Sequence, residues 1–383
     1  MAKLKDIGVI ITGNTPKTSD PKNYETTDIP FIKPSNISDD AISYLHNSEF
    51  YISEYAREKS RIVPVDSILF TCIGIIGKIA VNKVECAFNQ QINAIIPDKS
   101  KCLTDYLVYA LQSKKRLLQE TANAPVVPIL NKTQFSEIEI ELPSLEQQEK
   151  ISVQLNKIND LISQRNLQLS KLDELVKSRF IELFGTIHDN KFGYEIKTLQ
   201  DVCEQIKDGT HQTPTYTDDT VNGYKFLSSK DVTTGIIDWN HLKYIPAELH
   251  KELYARIAPR KGDILLAKNG TTGIAAVVDR DEVFDIYVSL ALLRPIEINS
   301  VYLWVAINSL ETKQQFDSSL KGIGVPNLHL GEIKKARIIV PPIEEQIKFA
   351  TFVEQTDKSK LAVQQSLEKL ETLKKSLMQQ YFG

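Results

Sequence analysis

The sequence predicts an α+β protein with two globular bodies, each followed by one long helix, as a tandem internal repeat with pseudo-twofold symmetry. The first observation is that residues 341–383 match residues 143–185 at a constant offset of 198, without a gap. A long internal repeat is a strong indication of repeated architecture. The second observation is that each body mixes short apolar runs before Gly-rich turns, typical of strands, with longer segments of helical spacing.

The stretch 143–185 is predicted to form one long helix, because its apolar residues recur at alternating steps of four and three. These residues are Ile151, Leu155, Ile158, Ile162, Leu169, Leu172, Val176 and Leu183, with breaks at Arg165 and Arg179. Ser144 and Gln147 match a capping box, and Gly185 suits the C′ position. About 40 residues at about 1.5 Å each give a rod of about 60 Å. Its repeat, 341–383, is its best partner in length and register.

The repeat also runs through the two bodies, where the offset drifts only from 195 to 198. Matching segments are 4–7 and 199–202, 12–16 and 208–214, 30–33 and 225–228, 66–70 and 262–266, 106–107 and 302–303, and 128–130 and 326–328. The chain therefore divides into a first body at 1–142, a helix at 143–185, a second body at 186–340 and a helix at 341–383.

Each body is expected to contain a twisted, mostly antiparallel sheet. Short apolar runs bounded by turn residues predict strands, and longer runs with helical spacing predict helices. Strands are predicted at 68–70, 92–96, 264–266 and 277–278, and helices at 103–118 and 301–316.

Length and composition indicate a folded protein without a membrane segment. A chain of 383 residues with 42% apolar residues allows two or more domains with ordinary cores. The N-terminus does not resemble a signal peptide and no run reaches 18 apolar residues, so a cytoplasmic location is expected. The four cysteines lack CxxC spacing and are expected to be buried thiols. They are Cys72, Cys86, Cys102 and Cys203.

Motifs of catalysis or cofactor binding are not found in the sequence. The string 73–78 lacks the spacing of a phosphate-binding loop, so a tight turn is the better interpretation. The string 269–273 is compatible either with a phosphate cradle or with a hairpin. The six histidines form no metal-ligand pattern. We therefore predict no catalytic residue, no metal site and no cofactor bound by this chain.

Polar loops recur in both bodies and are the best candidates for a binding site. They carry Lys, Asn, Thr and Ser side chains, which can hydrogen-bond base edges and phosphates. The candidate contacts are Thr12, Asn14, Thr15, Lys17, Lys33, Ser35 and Asn36 in the first body, and Lys207, Thr210, His211, Ser228, Ser229, Lys230, Lys268, Asn269 and Thr271 in the second. Ordinary solvated loops are the alternative interpretation. Recurrence with different residues favours two readers of different sequences.

The order body, helix, body, helix resembles the specificity subunit of type I restriction–modification systems. The strings that carry the resemblance are Leu-Pro-Ser-Leu-Glu-Gln-Gln at 142–148, Val-Pro-Pro-Ile-Glu-Glu-Gln at 340–346, Gly-Asn-Thr-Pro at 13–16 and Ile-Leu-Phe-Thr-Cys-Ile-Gly-Ile-Ile-Gly at 68–77. The second copy departs from the loop pattern, with Gly-Thr-His-Gln-Thr-Pro at 209–214. The resemblance covers essentially the whole chain.

The resemblance implies that each body is a target-recognition domain, similar to that of some DNA adenine methyltransferases, and reads one half of a bipartite double-stranded DNA target. The two helices would form an antiparallel coiled coil that separates the domains and sets their spacing. Two modification subunits, which carry S-adenosylmethionine, would dock on the protein, and restriction subunits that use ATP can join them. The specificity subunit itself is not catalytic.

Two other functions are weighed against this one. A coiled-coil adaptor with two modules that bind no nucleic acid is favoured by the formal net charge of −3, because DNA-binding domains are usually basic. A local basic face can be hidden in such a total, and the duplicated polar loops argue against the adaptor. A stand-alone nuclease or methyltransferase would need catalytic motifs that the sequence lacks.

Overall fold

A computed structural model describes residues 1–39, 41–121, 128–320 and 326–383. Two compact units divide the chain. The first unit contains residues 1–165 and 366–383, and the second contains residues 166–365. Each unit therefore combines one globular body with part of both long helices.

The first unit is built mainly from short strands. They are β1 (Ala2–Lys3), β2 (Gly8–Thr12), β3 (Ile29–Ile32), β4 (Ser43–Leu45), β5 (Tyr51–Ile52), β6 (Ile62–Val63), β7 (Ile68–Thr71), β8 (Ile79–Asn82), β9 (Cys86–Phe88), β10 (Ile92–Pro97) and β11 (Glu139–Ile140). The helices are α1 (Leu4–Ile7), α2 (Thr104–Thr121), α3 (Lys132–Ser136) and the start of α4 (Leu145–Phe184).

The main sheet of the first unit has the strand order β2-β10-β7-β8-β4. Its pairs are antiparallel except β4 with β8. Strand β7 is buried along its whole length because both faces of this sheet are covered. One face packs with Tyr106 and Leu107 of α2, and the other packs with Phe88 of a smaller sheet ordered β5-β3-β9-β6.

The second unit repeats this plan. Its strands are β12 (Glu195–Thr198), β13 (Cys203–Asp208), β14 (Tyr224–Leu227), β15 (Lys243–Ile245), β16 (Ile264–Ala267), β17 (Ala275–Val277), β18 (Phe284–Ile286), β19 (Leu290–Pro295) and β20 (Arg337–Val340). Its helices are α5 (Ala247–Arg256), α6 (Ser300–Ile307), α7 (Leu310–Ser319), α8 (Leu330–Lys335) and α9 (Ile343–Phe382), together with the end of α4. The sheets have the orders β13-β19-β16-β17, β15-β14-β18 and β12-β20.

The predicted mostly antiparallel sheets are confirmed in both units. The ladder β13-β19-β16-β17 is antiparallel like its counterpart β2-β10-β7-β8. The parallel pair β14 with β18 corresponds to the parallel pair β3 with β9. Strands predicted at 68–70, 92–96 and 264–266 are present, and the one predicted at 277–278 lies slightly earlier, in β17. The buried thiols are also confirmed.

The single helix predicted at 301–316 is wrong, because the chain breaks there into α6 and α7. The side chain of Asn308 turns back and hydrogen-bonds the backbone N–H and C=O of Ala275, both at 3.0 Å. The hydroxyl of Ser309 accepts the N–H of Thr312 and starts α7 as its N-cap. The contact of Asn308 with Ala275 forms only when the chain is folded, so the helical spacing of 301–316 did not reveal the break.

Helix α4 begins and ends where its sequence predicts. The Ser144 N–H donates to Gln147 Oε1 at 3.2 Å, and the Gln147 N–H donates to Ser144 Oγ at 3.4 Å, which is the capping box. Gly185 follows the last turn with φ +75°, a left-handed conformation that glycine adopts without a steric cost. The predicted apolar seam is buried or half-buried along the helix.

The two long helices run antiparallel in each unit. In the first unit, Tyr381 donates its hydroxyl hydrogen to Gln154, and Arg165 donates to Ser366. The residue number in α4 thus rises while that in α9 falls. In the second unit, Asp173 pairs with Lys360, and the Phe180 ring lies 5.6 Å from the Phe349 ring. This direction is the predicted one.

A buried glutamine joins the start of each long helix to the body that precedes it. Gln148 accepts the N–H of Leu103 at 2.9 Å and donates to the C=O of Lys101 at 3.0 Å. Its repeat, Gln346, accepts the N–H of Asn299 at 2.9 Å. Both glutamines are almost fully buried. Each joint therefore connects a helix side chain to the backbone of a body.

Among the residues that the structure describes, no helix is both long and apolar enough to cross a membrane.

Candidate nucleic-acid interface

Four segments of the second unit meet at one end of its main sheet and line a cavity of about 550 Å³, here called the loop cavity. They follow β13, follow β16, connect β18 to β19 and, at 326–329, precede α8. Backbone hydrogen bonds connect them, with Leu328 N–H donating to Lys268 O at 2.7 Å and Gly270 N–H donating to Pro326 O at 3.3 Å. The lining residues are Asp208, His211, Lys268, Asn269, Val288, Asn327, His329, Leu330 and Gly331.

A buried ion pair lies beside the loop cavity. The Lys268 ammonium donates to Asp208 Oδ2 at 3.1 Å, and the Lys268 and Asp208 side chains are only 7% and 17% exposed. His211 Nε2 lies 3.0 Å from the same oxygen. Burial opposes ionisation of Asp208, but Lys268 and His211 outweigh it and hold the pKa of the carboxyl below its usual value. The lysine charge is therefore neutralised inside the protein.

Two asparagines that border the loop cavity lie side by side. Asn269 and Asn327 form an isolated antiparallel bridge, so their side chains are neighbours. The carboxamide oxygen of each is buried and meets no hydrogen-bond donor among the described residues. Sequence reasoning selected Asn269 and missed Asn327. A signal was present, because the repeated string Pro-Ile-Leu at 128–130 and Pro-Asn-Leu at 326–328 changes only in its middle residue.

Helix α5 holds the loop that follows β13. The Arg256 guanidinium donates to the backbone carbonyl oxygens of Asp208 and Gly209, both at 2.6 Å. Lys207 Nζ lies 3.5 Å from the C=O of Arg256 and is otherwise exposed. Thr210 is buried, and its hydroxyl accepts the N–H of Gln212 at 3.2 Å. This loop is fixed by contacts within the protein, with Lys207 and His211 at its surface.

The remaining candidates of the second unit lie on two neighbouring turns. The Ser228 N–H and hydroxyl both donate to Asp231, which caps a short 3₁₀ turn. Ser229 N–H donates to Ser289 Oγ at 2.9 Å, and the Lys268 N–H donates to the C=O of Ser289. This turn therefore adjoins the loop cavity. Lys230 and Thr271 are exposed.

The first unit has a neutral cluster where the second has the ion pair. Thr12 ends β2 as Asp208 ends β13, and Cys72 follows β7 as Lys268 follows β16. Thr12 Oγ1 donates to Asn93 Oδ1 at 2.6 Å, and Asn93 Nδ2 donates to the Cys72 sulfur at 3.2 Å. The same place in the fold is therefore charged in one unit and neutral in the other.

Asn14 and Thr15 are engaged within the first unit. The Asn14 carboxamide donates to the C=O of Lys59 and accepts the N–H of Arg61, both at 2.7 Å. Thr15 donates to Gln90 Oε1 at 2.7 Å. Asn14 therefore fixes the loop that follows β2, as Arg256 fixes the loop that follows β13. Its role as a base contact remains a prediction.

The two candidate lysines of the first unit, Lys17 and Lys33, differ in whether their side chains contact the rest of the protein. Lys17 is exposed, whereas the Lys33 ammonium lies 3.4 Å from the centre of the Phe50 ring as a cation–π contact. Asn36 Oδ1 accepts the Lys33 N–H at 2.9 Å and so closes a short 3₁₀ turn. Ser35 is exposed on this turn. Lys17 and Ser35 are therefore the freest candidates of this unit.

A model of the family described as type I restriction modification DNA specificity domain matches residues 1–171 and 192–373. The type I restriction enzyme MjaIX specificity subunit of Methanocaldococcus jannaschii is 26% identical over 375 residues, covering 92% of this chain and 85% of the relative. The HindI specificity subunit of Haemophilus influenzae is 32% identical over 148 residues, covering 38% of this chain and 32% of the relative. The crystal structure of the type I S subunit from M. genitalium has a TM-score of 0.59 at 14% identity, covering 100% of this chain and 95% of that protein. The predicted resemblance and fold are confirmed.

Proposed function

Because this chain belongs to the type I restriction–modification DNA specificity family, we propose that the body at 1–142 and the body at 186–340 each read one half of a bipartite DNA target. The family recognises DNA sequence and is not itself catalytic. The observation that carries the proposal is the contrast between the neutral Thr12 cluster and the charged Asp208 cluster at matching positions. An unchanged backbone with different polar groups suits two readers of different half-sites.

The long helices are proposed to set the spacing between half-sites and to hold two modification subunits, one for each repeat. Their mutual seam is buried or half-buried, yet each helix also exposes apolar residues at matching positions. Leu145 matches Ile343, and Leu175 matches Leu373. Exposed apolar residues that recur at matching positions suit contacts with two copies of one partner.

The chemistry is assigned to the partner subunits. The modification subunits would bind S-adenosylmethionine and methylate adenine, and restriction subunits that use ATP can join the complex. This chain would bind no cofactor and would act in the cytoplasm, where its DNA target lies.

A body exchange tests the proposal. The chain is combined with its modification subunits, and methylated adenines are mapped on genomic DNA. Replacing residues 1–142 with the corresponding body of another family member should change one half-site and leave the other unchanged. Simultaneous loss of both half-sites from a folded exchange variant would contradict independent reading.

A control addresses catalysis. The pure chain, incubated with DNA and labelled S-adenosylmethionine, should transfer no methyl group until modification subunits are added. Methyl transfer by the pure chain would contradict the assignment of the chemistry to the partners.

A further inference from the structure

We propose that Arg256 is a positioning residue for DNA reading, and that its guanidinium places the loop that reads the second half-site. The inference rests on the proposed function and assigns to one side chain the placement of one loop, residues 209–216, here called the β13 loop. Asp208 and Gly209 both offer their backbone carbonyl oxygens to Arg256 Nη2, each at 2.6 Å.

The backbone of the β13 loop is hydrogen-bonded only near its two ends among the described residues. At its start, Thr210 N–H donates to Ile286 O at 3.1 Å. Just after its end, Thr217 N–H donates to Tyr244 O at 2.9 Å. Between these bonds, the backbone at 211–216 shows one hydrogen bond, and that bond returns to the Thr210 hydroxyl. The placement of 211–216 therefore depends on how the start of the loop is held.

The Arg256 contact holds the backbone at the point where it leaves the sheet. Successive carbonyl groups along a strand point in opposite directions, so Asp208 O and Gly209 O can reach one nitrogen only where the chain turns out of the strand. A guanidinium is always charged and carries its N–H donors in a rigid plane. Hydrogen bonds from a charged donor are stronger than those between neutral groups. One side chain thus fixes two consecutive peptide groups at the start of the loop.

The first body holds the corresponding loop with a different residue. The strings Arg-Ile-Val-Pro at 61–64 and Arg-Ile-Ala-Pro at 256–259 match, so Arg61 and Arg256 are repeats of each other. The Arg61 guanidinium is exposed and has no hydrogen bond or ion pair among the described residues. Instead, the Asn14 carboxamide bonds to the backbone at 59–61. Both bodies therefore join this loop to the same segment with unrelated side chains, as expected if the joint is needed.

A direct contact with a DNA phosphate is the competing role, because Arg256 is exposed. A phosphate contact strengthens binding to every DNA sequence and increases its dependence on salt. A loop that is placed correctly for only part of the time weakens binding of the matched sequence by that fraction. Positioning therefore changes the discrimination between sequences and leaves the salt dependence of DNA binding unchanged.

The test uses the whole protein in complex with its modification subunits. Arg256→Met removes the guanidinium and keeps a long side chain. Arg260→Met is the matched control, because Arg260 is an exposed arginine of the same body that lies 3.7 Å from Glu204, near the opposite end of β13. Methylation kinetics are measured on duplexes in which each base pair of both half-sites is varied singly, and DNA binding is measured at several salt concentrations.

Loss of two charge-assisted hydrogen bonds in Arg256→Met should raise KM for the matched duplex about tenfold and leave kcat unchanged. Discrimination at several base pairs of the second half-site should fall by the same factor, with discrimination at the first half-site unchanged. Arg260→Met should change neither. Arg256→Lys keeps a charged donor without the planar fork, so KM should rise only about threefold. This milder variant carries the test if Arg256→Met does not fold, as judged by thermal melting.

The outcomes separate the inference from the proposed function. A lower slope of log K against log salt concentration with unchanged discrimination would make Arg256 a phosphate contact and overturn the inference. Relaxation at a single base pair would make it a base contact and also overturn positioning. Unchanged KM and discrimination in a folded Arg256→Met variant would show that the loop does not depend on this side chain. If the unaltered complex methylates no bipartite sequence at all, the proposed function fails instead.

Discussion

Variants of the buried ion pair between Asp208 and Lys268 should lose more unfolding free energy when one charge is replaced than when both charges are replaced together. Asp208→Asn leaves the Lys268 ammonium buried without a carboxylate, and Lys268 is only 7% exposed. Breaking a buried pair in this way costs about 3 to 5 kcal/mol of unfolding free energy. We expect about 3 kcal/mol here, because Asp208 is partly exposed.

Replacing Lys268 should cost less unfolding free energy than replacing Asp208. Lys268→Met leaves a carboxylate that still lies 3.0 Å from His211 Nε2, so we expect about 2 kcal/mol. The double variant, Asp208→Asn with Lys268→Met, removes both charges together. It should lie within about 1 kcal/mol of the unaltered protein, because replacing a buried pair with uncharged groups is often nearly neutral.

Tryptophan fluorescence during equilibrium denaturation is the assay, because both tryptophans of the protein, Trp239 and Trp304, belong to the second unit. Lys348→Ala is the control, since it breaks an exposed pair with Glu345 in the same unit and should cost no more than about 0.5 kcal/mol. A double variant as unstable as both single variants combined would refute the reasoning. The low pKa of Asp208 adds a second check. The stability that the pair contributes should be lost as the pH falls through that value.

Three further predictions concern DNA contact, spacing and pH. Changing Lys17, Lys207 or Lys230 to Ala should lower the slope of log K for DNA binding against log salt concentration by about one if each contacts a phosphate. Lys268→Met should leave this slope unchanged. Unchanged slopes for all three exposed lysines would place the DNA elsewhere on the protein. Seven residues are inserted after Leu169 and seven after Val363, so that both insertions lie between the retained pairs Arg165–Ser366 and Asp173–Lys360. The helices should lengthen by about 10 Å, and the gap between methylated half-sites should widen by about three base pairs. An unchanged gap would mean that the helices do not set the spacing. Burial raises the pKa of Asp285 to about 6 despite His250, so the stability that protonated Asp285 contributes is lost as the pH rises through 6. The unfolding free energy of Asp285→Asn, measured by fluorescence, should therefore rise relative to that of the unaltered protein between pH 5 and pH 8. The same difference in unfolding free energy at both pH values would contradict a buried ionisation.

The repeat and the long helices could be predicted because their signals are local or directly comparable between copies. The seam of α4, its capping box and its terminal glycine all depend on residues close in sequence. The break between α6 and α7 could not, because Asn308 is held by Ala275, a residue more than thirty positions away. Local spacing carries no information about such a partner.

The candidate site could be predicted only as a set of loops. Polar composition selected Asn14 and Lys268 equally with Lys17. The structure distinguishes them, because Asn14 is bonded to the backbone at 59–61 and Lys268 is paired with Asp208, whereas Lys17 is exposed. Which polar group is used up by the fold depends on tertiary neighbours. Comparing the two copies position by position finds Asn327, which composition alone did not.

The glutamine joints explain how one helix frame could accept many different bodies. Gln148 and Gln346 bond to backbone groups, which every body presents whatever its side chains are. At these two joints a divergent body needs no compensating change in the glutamine, provided that it keeps the path of the backbone just before α2 or α6. Other contacts between helix and body depend on side chains, because the Tyr109 hydroxyl donates to Asn156 Oδ1 at 2.6 Å and Asn156 Nδ2 donates to Asp105 at 2.8 Å. Under the proposed function, exchange of one body would change one DNA half-site in a single step, while the helices proposed to hold the partner subunits stay constant.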